Sequence, residues 1–313
     1  MSELSSPPDA APVLDQEFRV DEGCRLDLNV PGARARLRPA PHPDHVSIEL
    51  TVAGAPEVGD EAVLDQVGLQ TRQVKNTIQV TSPVQDDDPG WWRWHRHSAA
   101  VLFLDVRVPA PAEVSARIPG GTLVASGLEG TFNLSVPGGA VQLQDLTGAI
   151  SLRARGSEVT LARLAGPQLS VQASSAPVSL TEIESEDIEV NAMAAPLTLQ
   201  RVRGACTLEG HAAPMTLSDL SGPCQATVYR GDLSFEGALQ ANTALTAIGG
   251  ALEVGLPPST GASFQATGQR VTVAEALSFK GDRSASRVTG TLNRGGPSLT
   301  LRAVRGPIRC SAA

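Results

Sequence analysis

Val159-Thr-Leu161, Val178-Ser-Leu180, Leu197-Thr-Leu199 and Met215-Thr-Leu217 are four copies of one triplet, apolar–hydroxyl–apolar, at steps of 19, 19 and 18 residues. The series extends upstream to Val141-Gln-Leu143 and downstream to Leu233-Ser-Phe235 and Leu252-Glu-Val254, at steps of 18, 18 and 19. Alternation within each triplet is the two-residue period of a strand with one buried side. Most triplets are followed by a further apolar residue (Leu146, Leu164, Ile183, Val202, Leu220), often with glycine two positions later (Gly148, Gly166, Gly204, Gly222). A second short strand comes next: Ile150-Ser-Leu152, Leu169-Ser-Val171, Ile188-Glu-Val190, Cys206-Thr-Leu208 and Ala226-Thr-Val228. Small residues then fill a third side, as at Ala192 to Ala195 and Gly210 to Ala213. Upstream, Ile118-Pro-Gly-Gly-Thr-Leu123 recurs as Val136-Pro-Gly-Gly-Ala-Val141.

Short strands at this spacing, with turns but no helical period between them, exclude βαβ units. They predict a coil whose turns stack, so that equivalent residues form columns. The expected fold is all-β: a parallel β-helix, or β-solenoid, of about eight rungs of 18–19 residues with β caps at both ends. One column tests the register. Before each corner apolar residue stand Asp145, Arg163, Glu182, Arg201 and Asp219, alternating in sign rung by rung. Strands stack at ~4.8 Å, so each charge would face only opposite charges. A single rung cannot fold alone: its few buried side chains fall short of the backbone entropy lost in ordering it.

Outside the repeat, residues 1–14 read as a disordered polar tail. Residues 15–110 read as an N-terminal β cap, with strands near 17–20, 25–30, 35–38, 46–52, 69–73, 77–81 and 100–108 and a short helix near 61–67. The solenoid repeats occupy 111–256, and 257–313 supply closing strands. Caps are expected because an open end exposes apolar side chains and unpaired strand edges.

The run from Leu123 to Leu256, the segment Ser286-Arg-Val-Thr-Gly-Thr-Leu-Asn-Arg-Gly-Gly-Pro-Ser-Leu-Thr-Leu and the closing Val304-Arg-Gly-Pro-Ile resemble the bacterial DUF4097 proteins, often labelled "putative adhesin". The resemblance spans roughly residues 15–313 and rests on structural glycines and aliphatics. It implies a β-helix-like solenoid and brings no catalytic residues with it.

Composition narrows the function classes. The 313 residues carry 25 Lys plus Arg against 33 Asp plus Glu, a net charge of −8. The first 110 residues hold 10 basic and 17 acidic groups and the remainder 15 and 16, so no basic face for a phosphate backbone is evident and no nucleic-acid partner is expected. No apolar run approaches the ~20 residues that cross a bilayer. The start, Met1 to Pro12, lacks the basic and apolar regions of a signal peptide, which predicts a cytoplasmic protein. Four widely spaced cysteines form neither a disulfide framework nor a zinc pattern.

The most unusual segment is Asp86-Asp-Asp-Pro-Gly-Trp-Trp-Arg-Trp-His-Arg-His97, which holds all three tryptophans. Trp91, Trp92, Arg93 and Trp94 are the candidate interface, for a protein partner or for self-association, since Trp and Arg dominate binding hot spots. The bland reading is a hairpin covering the solenoid end. His95 and His97 lack further suitable ligands nearby, so no metal site is expected. Cys206 and Cys224, one repeat apart, should stack as two buried thiols. Arg230-Gly-Asp232 copies an integrin-binding tripeptide but occupies the turn slot of Ala194-Ala-Pro and Ala212-Ala-Pro. Thr160, Ser179, Thr198, Thr216 and Ser234 form one hydroxyl column, explained by β propensity. Glu182, Glu184, Glu186, Asp187 and Glu189 cluster on one rung, yet arginines at 163, 201 and 203 stand opposite them. No nucleophile elbow, P-loop or dinucleotide fingerprint occurs. The expectation is a non-enzymatic scaffold or adhesin-like interaction protein, with no catalytic residue and no cofactor. The alternatives are a polysaccharide-active β-helix lyase or hydrolase, and a self-assembling bactofilin-like structural protein.

Overall fold

A computed structural model describes residues 12–53, 68–82 and 101–313. The expected helix near 61–67 lies outside the described residues. Among them, all regular structure is strand except one 3-10 turn at Glu275–Leu277. The chain divides into two compact units, Met1–Glu158 and Val159–Ala313.

In the second unit, strand after strand pairs parallel with the segment one repeat later. Val159 faces Val178, Val178 faces Leu197, Leu197 faces Met215, Met215 faces Leu233 and Leu233 faces Leu252. The second strand runs in the same way through Leu169, Ile188, Cys206, Cys224 and Thr243. Every inward residue of these columns is buried, and the residues between them face outward. One register irregularity falls between Glu184 and Asp187, where Ser185-Glu186 opposes Gly204 alone. That bulge absorbs the extra residue of a 19-residue step without turning a side chain to the wrong face.

Two columns of corners turn the chain. Arg163, Glu182, Arg201 and Asp219 in the second unit adopt left-handed backbone, with φ between 52° and 58°, as Asp145 does in the first. So do Ser175, Ala194, Ala212 and Arg230, with Gly249 continuing the second column. The buried residue after each charged corner, such as Val202, anchors it in the core. Glycine is required elsewhere, at Gly204 and Gly222, both at φ +136°. There a Cβ on Gly222 would run into the Gly204 carbonyl, and one on Gly204 into that of Ser185.

In both units a segment distant in sequence pairs directly on the repeat. In the first unit, Ala112–Arg117 and Thr122–Ser126 pair parallel with Glu129–Gln144, Val114 facing Phe132 and Leu123 facing Val141. Their other edges take up Arg25–Asn29 and Arg34–Pro39, Leu26 facing Val114 and Ala35 facing Leu123. The link Val30-Pro-Gly32 repeats Ile118-Pro-Gly120 and Val136-Pro-Gly138, with glycine φ of 68°, 66° and 75°. Residues 25–39 are thus a copy of the repeat, 88 positions from their neighbour, where the sequence suggested only an irregular covering. Thr77–Thr81 and Val101–Val108 pair parallel on its far side. Antiparallel strands finish the unit: His45–Ala53 on Val101–Val108, Leu14–Arg19 on His45–Ala53, and Gln70–Val74 on Thr77–Thr81.

The second unit ends likewise. The layer paired with Thr243–Ile248 and Leu252–Leu256 is the chain terminus, Ser298–Val304 and Pro307–Ala312. Ala262–Thr267 and Arg270–Val273 pair on the terminus in turn. Arg287–Leu292 and Phe279–Arg283 add antiparallel strands. Lys280, Asp282 and Arg283 make Phe279–Arg283 a charged strand of the kind that discourages edge-to-edge pairing.

Replacing Gly249, whose corner already holds Ala at 194 and 212, by Ala is expected to cost about 1 kcal/mol. Gly222→Ala is expected to cost about 3 kcal/mol or more, because strain and a backbone collision add. Denaturant midpoints of the two variants check this ordering.

Candidate functional site

Trp91, Trp92, Arg93 and Trp94 lie outside the described residues, as do His95 and His97. What the structure brings together on the described surface is a set of straight rows, each turn of chain giving one side chain to each row.

The charged corners border a shallow groove of about 380 Å³, lined by Glu182, Glu184, Arg201, Arg203, Asp219 and Ser221 with Ile183 and Val202 at its floor. Arg201 donates through Nε and one Nη to Glu182 Oε1, at 3.2 and 3.0 Å. Arg203 donates to Glu184 Oε1 at 3.3 Å. Both pairs bridge neighbouring turns and are about half or more exposed, so each contributes about 0–1 kcal/mol. These two carboxylates are engaged by cations along the stack.

The hydroxyls of Thr160, Ser179, Thr198, Thr216 and Ser234 stand in one register column ending on Glu253. A second outward row was not legible in the sequence. Met193, His211, Tyr229, Ile248 and Val304 are register partners in turn. Met193 is 56% exposed, and the His211 and Tyr229 rings stack at 4.6 Å with an 8° interplanar angle. His211 Nε2 also meets Glu209 Oε1 at 3.0 Å. The available signal was positional: each member of the row immediately precedes a corner of the second column.

Arg230-Gly-Asp232 is built into the scaffold. Arg230 is a left-handed corner at φ 55°, a Cβ on Gly231 would strike the Ala213 carbonyl, and Asp232 Oδ1 accepts the Ala251 N–H at 2.8 Å.

Cys206 and Cys224 face each other on adjacent strands, both free and both 4% exposed. They border a surface depression of about 320 Å³ over Ala205, Thr207, Gln225 and Ala244. Burial pushes the Cys206 thiol up to about 11 from an ordinary 9.0. Burial, with the neighbouring Cys206, pushes Cys224 up to about 12. Thiols held protonated are poor nucleophiles and poor metal ligands at neutral pH.

In the first unit a hollow of about 390 Å³ is lined by Glu17, His42, Asp44, His45, Ser47 and Arg107 over Ala40 and Pro41. His45 Nδ1 lies 2.8 Å from Asp44 Oδ1, and that hydrogen bond lowers the Asp44 carboxyl below its usual range. Among the described residues, no group of three or more His, Cys, Asp or Glu could hold a metal ion, and no helix is long and apolar enough to cross a membrane.

No protein-family model and no curated protein matches the chain. Solved structures similar to it include a "putative cell adhesion protein" from Clostridium sporogenes, at 11% identity and TM-score 0.23, covering 97% of this chain and 100% of that one. Another is a "putative adhesin" from Parabacteroides distasonis, at 9% identity and TM-score 0.39, covering 97% and 98%. Likenesses this loose carry no argument about function.

The site yields two expected outcomes. A double-mutant cycle on Glu182→Ala and Arg201→Ala should give a coupling of about 0.2–1 kcal/mol in urea unfolding, fading in high salt. The buried thiols make stability fall as pH rises from 9 toward 11, because the unfolded chain releases protons that the folded chain keeps. The slope is at most about 1 kcal/mol per pH unit per thiol, and the Cys206→Ala/Cys224→Ala variant should show a shallower slope in urea melts taken across that range.

Proposed function

We propose that the chain is a β-solenoid of about eight rungs between β caps, a DUF4097-type protein that serves as a non-enzymatic scaffold or interaction module in the cytoplasm. The observation that carries this reading is the arrangement of outward side chains in straight rows, one per turn. Such a surface suits an extended, repeated contact with a macromolecule. Catalysis asks instead for groups that converge within a few ångströms on one reacting atom. Two of the acids that would serve a polysaccharide-active enzyme are drawn into pairs along the stack, Glu182 by Arg201 and Glu184 by Arg203.

Trp91, Trp92, Arg93 and Trp94 are proposed as the contact that selects the partner or a second copy, on composition alone.

Replacing Trp91, Trp92 and Trp94 together by Ala should leave the unfolding free energy within about 0.5 kcal/mol of the parent. The same change should abolish concentration-dependent self-association in sedimentation velocity, or retention of a purified partner. Unchanged association would remove that site from the proposal. Reducing ends or unsaturated products released from polyuronides or neutral glycans would replace the scaffold reading with the enzyme one.

A further inference from the structure

We infer that the terminal strand pair, Ser298–Val304 with Pro307–Ala312, is an exchangeable layer, and that the slot it fills also accepts the same segment from a second copy of this chain. The inference stands on pairing order and is independent of which face binds a partner.

The terminus is sandwiched on both strands. Leu301 lies between Leu245 and Ala266, Ile308 between Leu252 and Val271, and Cys310 between Val254 and Val273. Yet the outer layer is spaced to sit without it. Leu252 and Val271 are 19 residues apart, the ordinary step of the repeat, whereas Leu252 and Ile308 are 56 apart. Inward parity is also conserved: Leu245, Phe264 and Ala266 are all buried. The outer layer could therefore pair directly with Thr243–Leu256, and this closure joins a shorter loop, so it costs less chain entropy. In the observed arrangement the outer layer stands one strand away from Thr243–Leu256, and the place between them is taken by residues that follow both walls in sequence.

The walls recognise backbone and a short row of aliphatics: Leu299, Leu301, Ala303 and Ile308, all 5% exposed or less. Neither feature depends on which chain supplies the strands. The tether back to the outer layer is short: Asn293 donates to the carbonyls of Pro258 and Thr260 at 2.8 and 2.7 Å, and only Arg294 to Pro297 separate that clamp from the insert. No disulfide locks the insert, since Cys310 is free. Exchange of an identical element between chains is a low-cost route to association when the element pairs through backbone on both edges.

Cys310 is a built-in reporter. It is 4% exposed, like Cys206 and Cys224, whose strands pair with the repeats before and after them and are not part of the insert. In the intact protein under native conditions, a maleimide mass tag should modify Cys310 at least 10-fold faster than Cys206 or Cys224. Leu301→Ala should speed Cys310 further and leave the other two unchanged. A biotinylated peptide of residues 293–313 should be captured by the intact protein, with a rate tracking Cys310 unmasking. The same peptide carrying Leu301→Asp and Ile308→Asp should not be captured. If all three thiols react at one common rate, the insert opens only with the whole unit and the inference is wrong. Failure of the parent peptide to be captured while Cys310 is being tagged would equally overturn it. Should Leu301→Ala not fold, the parent protein and the two peptides decide the matter alone.

Discussion

Hydrogen bonding between one turn of chain and the next dictates everything else in this protein. Parallel neighbours must share a register over many residues, and a slip of one residue would carry an entire apolar row from the interior to solvent. That requirement explains why the repeat holds so closely to 18 or 19 residues, and why the additional residue near Ser185 is discarded in a bulge instead of being passed along the strand. It also explains the glycines at 204 and 222, where the backbones of adjacent turns come too near for a Cβ.

The corners show the cost of the same constraint. Strands that pair parallel with the copy 18 or 19 residues later need tight turns between them, and here left-handed turns are made by Glu182, Arg201 and Asp219, where glycine would be unstrained. Each such residue is disfavoured locally and held by what surrounds it: an apolar neighbour buried on one side and, for Glu182 and Arg201, an ion pair to the adjoining turn. The charges thereby help keep successive turns aligned while contributing little to overall stability.

Much of the fold was legible because the triplets recur in sequence at the distance at which they meet in space. Leu161, Leu180, Leu199 and Leu217 announce their own column. The terminal layers were not legible for the opposite reason. Leu26 meets Val114 and Leu252 meets Ile308 across 88 and 56 residues, so no fixed period reveals them, although Val30-Pro-Gly32 carries the same turn chemistry as its spatial neighbours. The surface was harder still. Met193, His211, Tyr229 and Ile248 share no residue type, and each taken singly is ordinary; only register makes them a row. The arginine–glycine–aspartate tripeptide is the converse, a motif conspicuous in the sequence whose residues serve a turn. The tryptophan segment stands out by composition, since Trp91, Trp92 and Trp94 are the three tryptophans of the chain.

The central claim, that segments one repeat apart lie side by side and in register, is tested most directly by nitroxide labels on outward positions of adjoining turns. Thr198 and Thr216 face one another on neighbouring strands. With both replaced by labelled cysteine in a background lacking the native thiols, the strand spacing of ~4.8 Å predicts a spectrum collapsed by exchange and strong dipolar broadening. Three sharp, resolved lines identical to the sum of the two singly labelled proteins would contradict the account.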